Sequence, residues 1–211
     1  MTKGERAAAP TSTHAEDVAS HARHRMANMF QLLTTLTRMR IQRSRDAESR
    51  RQLNWLLEAM GALGVLHRRL VSPSGDDFSE FLIEMDGIWR RRCAGRAIEL
   101  QIDAVAVRTP EHLASALSLI VNELVSNAID HGFPEGRGGR IWVTLEPIGA
   151  ARGCLTVSDD GQGYDPATLD GQTLGLWLIQ GLTAQLHGAL TTTTTGGVTA
   201  RLEFPSADTT E

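Results

Sequence analysis

Glu123 and Asn127 stand one helical turn apart in the run LASALSLIVNELVSNAIDHGFPEG, residues 113–136. Leu113, Leu117, Ile120, Val121, Leu124, Val125 and Ala128 recur at helical spacing around them, which predicts a buried amphipathic helix. A carboxylate and an amide beside such an apolar face are costly to bury without something to hold. A second polar constellation is VSDDGQGYD, residues 157–165. There a strand pattern ends in two aspartates and a Gly-x-Gly. Glycines permit a sharp backbone path and the close approach of a flat ligand. A carboxylate at the strand end can accept from an exocyclic amine, a charge-assisted bond of roughly 1.5–3 kcal/mol when shielded. A third is Gly175, just before a helix start, where free N–H groups and the helix dipole favour a phosphate. Alone, each has a plain alternative: a Gly-rich turn with solvated aspartates, or an ordinary glycine at a helix end.

The elements that must position these groups fall into two parts. Residues 1–13 are rich in Ala, Thr, Ser and Pro and read as a disordered start. From His14 to Arg43 an apolar stripe runs through Ala22, Met26, Met29, Leu33, Leu36 and Met39. A second runs from Leu53 through Leu56, Leu57, Met60, Leu63 and Leu66 to Leu70, after the polar break QRSRDAES. Residues 14–72 thus form an antiparallel helical hairpin, and one stripe per helix favours pairing with a second copy into a four-helix bundle. Pro73 and Gly75 mark the boundary. Residues 73–206 then change to a mixed pattern. It comprises a helix at FSEFLIEMDGIWRRR, a strand at AIELQIDAV and the opening helix with Thr109 and Pro110 as cap and first residue. Strands follow at RIWVTLE and GCLTVSD, then a helix at LGLWLIQGLTAQLHG and a closing strand pair around Gly196 and Gly197. Residues 207–211 are a tail. The fold class is α+β.

Composition sets the limits. The net charge of −4 hides ten arginines against three acids in residues 21–71, a balance of +7 that leaves −11 for the rest. With no nucleic-acid motif, that basic stretch suits an acidic protein partner or a solvated helix face. No apolar run reaches a membrane span, and MTKGERAAAPTSTHAED lacks a signal-peptide core, so a cytoplasmic protein without membrane contact is expected. Cys93 and Cys154 have no metal-ligand spacing and read as free thiols, at least one of them buried.

An E-x-x-x-N helix, a strand ending D-x-G-x-G, a Gly-led helix and a final strand pair, in that order, resemble the Bergerat (GHKL) ATP-binding fold. That fold is shared by sensor histidine kinases, type II topoisomerases, Hsp90-like chaperones and mismatch-repair ATPases. HRMANMFQLL, residues 24–33, resembles the HRxxNxxQ dimerisation helix of the HWE-related histidine kinases, and the likeness extends over roughly residues 20–205. It implies ATP and Mg²⁺ as cofactors, with Asn127 on the metal and Glu123 as general base beside the γ-phosphate. Asp159 would lie on the adenine amino group, Gly161 and Gly163 against the base, and Gly175 over the phosphates. His24 would be the phosphoacceptor, with His21 the alternative. On a helical wheel His24 lies about 200° from Ala22 and Met26 and so points away from the stripe. The implied partners are a response-regulator receiver domain, a second copy through the hairpin and a sensor protein in trans. Two other functions compete: a stand-alone histidine phosphotransferase with a vestigial nucleotide site, and an anti-sigma-type binding module. Asp130 and Ala27 stand where these kinases often carry lysine, and the second glycine motif keeps only Gly175.

Overall fold

A computed structural model describes residues 12–69, 76–134, 136–164 and 173–207, with the side chains of the first helix described from Arg25 onward. Residues 1–11 of the expected disordered start, the Pro73–Gly75 boundary, the 165–172 stretch and the tail beyond Ala207 lie outside the described residues, and Ser12 and Thr13 already belong to the first helix. Helix α1 spans Ser12–Arg43 and α2 spans Ala47–Arg69. Asp46 sits between them and accepts from the Ser49 backbone N–H at 2.7 Å, which caps the start of α2. After them come α3 (Phe78–Cys93), β1 (Ile98–Ala104), α4 (Glu111–Asn127), β2 (Gly139–Ile148) and β3 (Arg152–Asp159). The chain closes with α5 (Leu174–Gln185), β4 (Ala189–Thr193) and β5 (Thr199–Pro205).

The five strands form one sheet in the order β1-β2-β3-β5-β4. β1 pairs parallel with β2, and the remaining pairs are antiparallel. Alternation along β2 buries Ile141, Val143 and Leu145, and along β5 it buries Ala200, Leu202 and Phe204. The core forms where these meet Leu117, Ile120, Val121 and Val125 of α4, with Phe81, Leu82, Met85 and Trp89 of α3. β4 carries its threonines outward, as suits an exposed edge strand. Residues Glu111–Gly132 are long and apolar enough to cross a membrane, but they form the core helix of the sheet layer, 72% buried over the apolar window. Cys93 and Cys154 are both buried free thiols.

The expected cap of α4 differs in detail. Pro110 is the N-cap without a side-chain bond, and the helix begins at Glu111. Thr109 turns inward instead, its Oγ1 donating to the Val107 carbonyl oxygen at 3.4 Å and its N–H to the Asp76 carbonyl oxygen at 2.7 Å. Burial of Thr109, 1% exposed, wins over capping because both its polar groups find partners there.

The hairpin packs asymmetrically. α2 buries Ala62, Val65 and Leu66 in the main core. The α1 stripe of Met26, Met29, Leu33, Leu36 and Met39 stays between 43% and 58% exposed, a continuous apolar face without a partner in the single chain.

Candidate functional site

Glu123 lies near the end of α4, only 6% exposed. Trp55 of α2 donates its Nε1–H to Glu123 Oε2 at 2.7 Å, and the Asn127 amide donates to the same carboxylate. Burial nevertheless pushes the Glu123 pKa above the usual carboxylate range, against the lowering effect of those two donors. Asn122, next to it, is committed to structure: its Oδ1 accepts from Trp89 Nε1 at 3.2 Å.

At Asn127 the α-helix passes into a π-helical turn, Ala128–Gly132. The Ala128 N–H reaches both the Leu124 and Val125 carbonyl oxygens. Such wide turns re-aim side chains near functional sites. Here the turn directs backbone toward the loop after β3: Gln162 donates its N–H to the Gly132 carbonyl oxygen and its Nε2 to the His131 carbonyl oxygen, each at 2.9 Å.

The two aspartates ending β3 have separate tasks. Asp159, 7% exposed, accepts at Oδ1 from the Gly161 N–H at 2.8 Å and the Val198 N–H at 3.3 Å. Among the described residues no donor reaches its Oδ2, which leaves that oxygen for a ligand. Burial is the largest influence on its pKa and raises it. Asp160 instead accepts at Oδ1 from the Arg140 N–H at 2.7 Å and fixes the start of β2.

The glycines are spatial requirements. A Cβ on Gly161 would overlap the Gly132 carbonyl oxygen. Gly163 adopts φ +64°, the left-handed region that favours glycine, and lies against the Thr194 carbonyl oxygen. Gly175 lies directly against Glu123 Oε1, so only a residue without Cβ lets α5 begin there. Thr173 caps that helix, its Oγ1 accepting from the Leu176 N–H at 3.3 Å.

Glu123, Asn127, Asp159, Gly163 and Gly175 all line one cavity of about 820 Å³, a size suited to a nucleotide-sized ligand. Gly161 adjoins it through Asp159. His24 belongs to α1 by its backbone, and its side chain lies outside the described residues. His67 instead packs its ring 6.1 Å from that of Phe30.

Three residues at this cavity escaped the sequence reading. Arg92, at the end of α3, donates through Nη1 to Ser126 Oγ at 2.6 Å and to Glu58 Oε2 at 2.9 Å, and through Nη2 to Asp130 Oδ2 at 2.8 Å. Arg96 adds a longer contact to Asp130, at 3.8 Å. Asp130 is therefore one acceptor in an arginine-centred network. Glu58 and Trp55 come from α2 and form a wall of the cavity. Burial raises the Glu58 pKa, and Arg92 opposes the rise.

The donor set fits a purine nucleotide and a hard cation. A buried aspartate offers an unmet acceptor beside glycines that a Cβ would fill, and one amide suits a Mg²⁺ ion held mostly by phosphates and water. Among the described residues there is no cluster of three or more ligands that would hold a metal alone.

Residues 112–208 match the family described as histidine kinase-, DNA gyrase B-, and HSP90-like ATPase. The match covers somewhat less than half of the chain, and the fold and the site described above agree with an ATPase domain of this kind. The chain is 25% identical over 191 residues to blue-light-activated histidine kinase 2 of Erythrobacter litoralis, spanning 83% of this chain and 54% of that protein. It is 28% identical over 184 residues to the sensor histidine kinase PdtaS of Mycolicibacterium smegmatis, spanning 79% of this chain and 35% of that protein. Among solved structures, the histidine kinase domain of the Erythrobacter litoralis EL346 blue-light-activated kinase superposes with a TM-score of 0.67. That likeness covers 84% of this chain and 94% of that one at 18% identity. The chain thus spans about half the length of the first relative and about a third of the second, and these matches support a histidine kinase catalytic domain.

Proposed function

We propose that the protein is an ATP-dependent protein-histidine kinase core of two-component signalling. In this reading it phosphorylates His24 and passes the phosphoryl group to an aspartate of a response-regulator receiver domain. The observation that carries the proposal is the convergence of Glu123, Asn127 and Asp159 on one cavity of nucleotide size. Asp159 Oδ2 accepts from the adenine amino group, and Gly161 and Gly163 let the base lie close to the backbone. Asn127 would hold Mg²⁺ through its amide oxygen, and the ion would neutralise charge on the phosphates. An imidazole has an ordinary pKa of about 6.5, so a neutral nitrogen is available near pH 7. Its lone pair forms the N–P bond at the γ-phosphorus while the bond to the ADP oxygen breaks and ADP leaves with that electron pair. Glu123 takes the imidazole proton, and its raised pKa makes it a stronger base for this. Positioning and charge neutralisation supply most of the acceleration.

The exposed α1 stripe supports a homodimer through a four-helix bundle. The basic hairpin supports an acidic receiver surface as the recipient. A sensor acting in trans and a cytoplasmic location complete the proposal. The test is incubation with γ-labelled ATP and Mg²⁺ beside His24→Ala and Asn127→Ala variants. Label in the parent protein that is lost in both variants supports the kinase. Absence of label, with loading of the protein from a phosphorylated receiver domain, makes it a phosphotransferase.

A further inference from the structure

The two segments that carry the motifs of the site contain no lysine or arginine. None stands between Arg108 and Arg137, a span that includes α4 and its π-helical turn. None stands between Arg152 and Arg201, a span that includes the Gly-x-Gly turn, residues 165–172 and α5. Phosphate oxygens in a partly buried cavity are costly to desolvate unless fixed positive charge meets them. That charge has to come from elsewhere in the chain.

The arginines nearest the motifs in sequence are engaged elsewhere. Arg137 donates through Nη2 to the Asp160 carbonyl oxygen at 2.8 Å, and Arg140 pairs with Glu99 at 2.9 Å. Two arginines line the cavity, Arg51 of α2 and Arg92 of α3. Arg51 pairs with Glu48 of its own helix, and its side chain is 70% exposed. The Arg92 side chain is 23% exposed and is held from three directions. Ser126 and Asp130, four residues apart and on either side of Asn127, take Nη1 at 2.6 Å and Nη2 at 2.8 Å. Glu58 takes the other Nη1 hydrogen at 2.9 Å. The guanidinium therefore stands at the level of Asn127, the residue assigned to Mg²⁺. Among the described residues, its Nε–H and one Nη2–H have no acceptor. Two donors of a rigid planar fork thus remain, enough to meet two oxygens of one phosphate.

We propose that Arg92 is the phosphate-contacting cation of this site, supplied by α3 from outside the 112–208 segment that matches the ATPase family. Ser126 and Asp130 are its positioning residues: they fix the plane of the guanidinium beside Asn127. A role on phosphate rests on the nucleotide reading of the cavity and is independent of which histidine receives the phosphoryl group. Arg92 so placed distinguishes ligands by their phosphates and is indifferent to the base.

The test compares the full chain with Arg92→Gln and with the double variant Arg92→Gln/Asp130→Lys. Asp130 lines the cavity with its carboxylate 2.8 Å from the guanidinium, so a lysine there brings an ammonium group close to the place the guanidinium left. With Mg²⁺ present, affinity is measured for a fluorescent, non-hydrolysable ATP analogue. Adenosine, which has the base but no phosphate, is measured by ligand-observed NMR, and label uptake from γ-labelled ATP is followed in parallel. Loss of charge-assisted bonds to phosphate is expected to weaken analogue binding to Arg92→Gln by about ten- to hundredfold. Adenosine affinity is expected to stay at the parent value, and the double variant to regain most of the analogue affinity. Unchanged analogue affinity in Arg92→Gln overturns the proposal. So does an equal loss for adenosine and analogue without recovery in the double variant, which makes Arg92 a structural residue. In both cases label uptake by the parent leaves the kinase reading intact. Selective loss of analogue binding with no label in any of the three proteins keeps Arg92 as a phosphate contact and overturns the kinase reading. A parent protein that binds neither ligand overturns both.

Discussion

Replacing Asp159 by asparagine changes one charge at almost constant volume and should move binding and stability in opposite directions. In the folded protein Oδ1 is occupied by the Gly161 and Val198 N–H groups, so Oδ2 is the atom left for adenine. Asparagine keeps an oxygen for the two backbone donors but turns an NH₂ toward the exocyclic amine, donor against donor. The lost charge-assisted bond, about 1.5–3 kcal/mol, corresponds to a roughly ten- to hundredfold weaker nucleotide affinity. Stability should not fall with it. Burial raises the folded pKa of Asp159 above its unfolded value, so the native state holds the proton longer. Its contribution to stability is present below the unfolded pKa and is lost as pH rises through the folded one. The neutral asparagine escapes that loss, so the variant's Tm should match the parent at acidic pH and exceed it increasingly toward neutral pH. Isothermal titration with ADP and thermal melts from pH 4 to pH 8 measure both. Undiminished affinity would refute the assignment of Oδ2 to the ligand, and a neutral-pH Tm below that of the parent would refute the stability argument from burial.

Other consequences are equally direct. Gly175→Ala drives a methyl group into Glu123 Oε1, so the start of α5 or the carboxylate must move. A loss of about 1–3 kcal/mol in chemical denaturation should accompany slower label uptake. Glu123→Gln should lower label uptake by about 10²- to 10⁴-fold while leaving nucleotide affinity within a few-fold of the parent. Because burial raises the Glu123 pKa, the parent rate should fall on acidification beginning above the usual carboxylate range, and that limb should vanish in the variant. Met29→Glu, on the exposed α1 stripe, should shift the protein from dimer to monomer in analytical ultracentrifugation without altering analogue affinity.

Much of the sheet layer was legible because its signals are local. Period-two burial marks β2 and β5, and the apolar spacing around Leu117 and Val121 marks α4. The motif order grouped Glu123, Asn127, Asp159 and the glycines, and of these all but Gly161 line one cavity. What stayed hidden depends on long-range contacts or on small shifts of helical pitch. Trp55 and Glu123 are 68 residues apart, and nothing at Trp55 distinguishes it from an aromatic on a hairpin stripe. Arg92 sits in the run WRRRC, which reads as a solvated helix end until Glu58, Ser126 and Asp130 are placed around it. The D-x-G-x-G spacing singles out Asp159, but the bond by which Asp160 holds the Arg140 N–H at the start of β2 joins residues 20 apart and has no local signal. The π-helical turn after Asn127 adds one residue to a turn whose composition is ordinary for a helix.

The most direct measurement is to locate the phosphoryl group itself. The full chain is labelled with γ-labelled ATP and Mg²⁺, digested at neutral pH and sequenced by electron-transfer mass spectrometry, with acid and base stability of the label followed in parallel. The account predicts a single acid-labile, base-stable phosphate on His24. Label on His21 or on a hydroxyl side chain would contradict it. So would an unlabelled protein that takes phosphate on His24 only from a phosphorylated receiver domain.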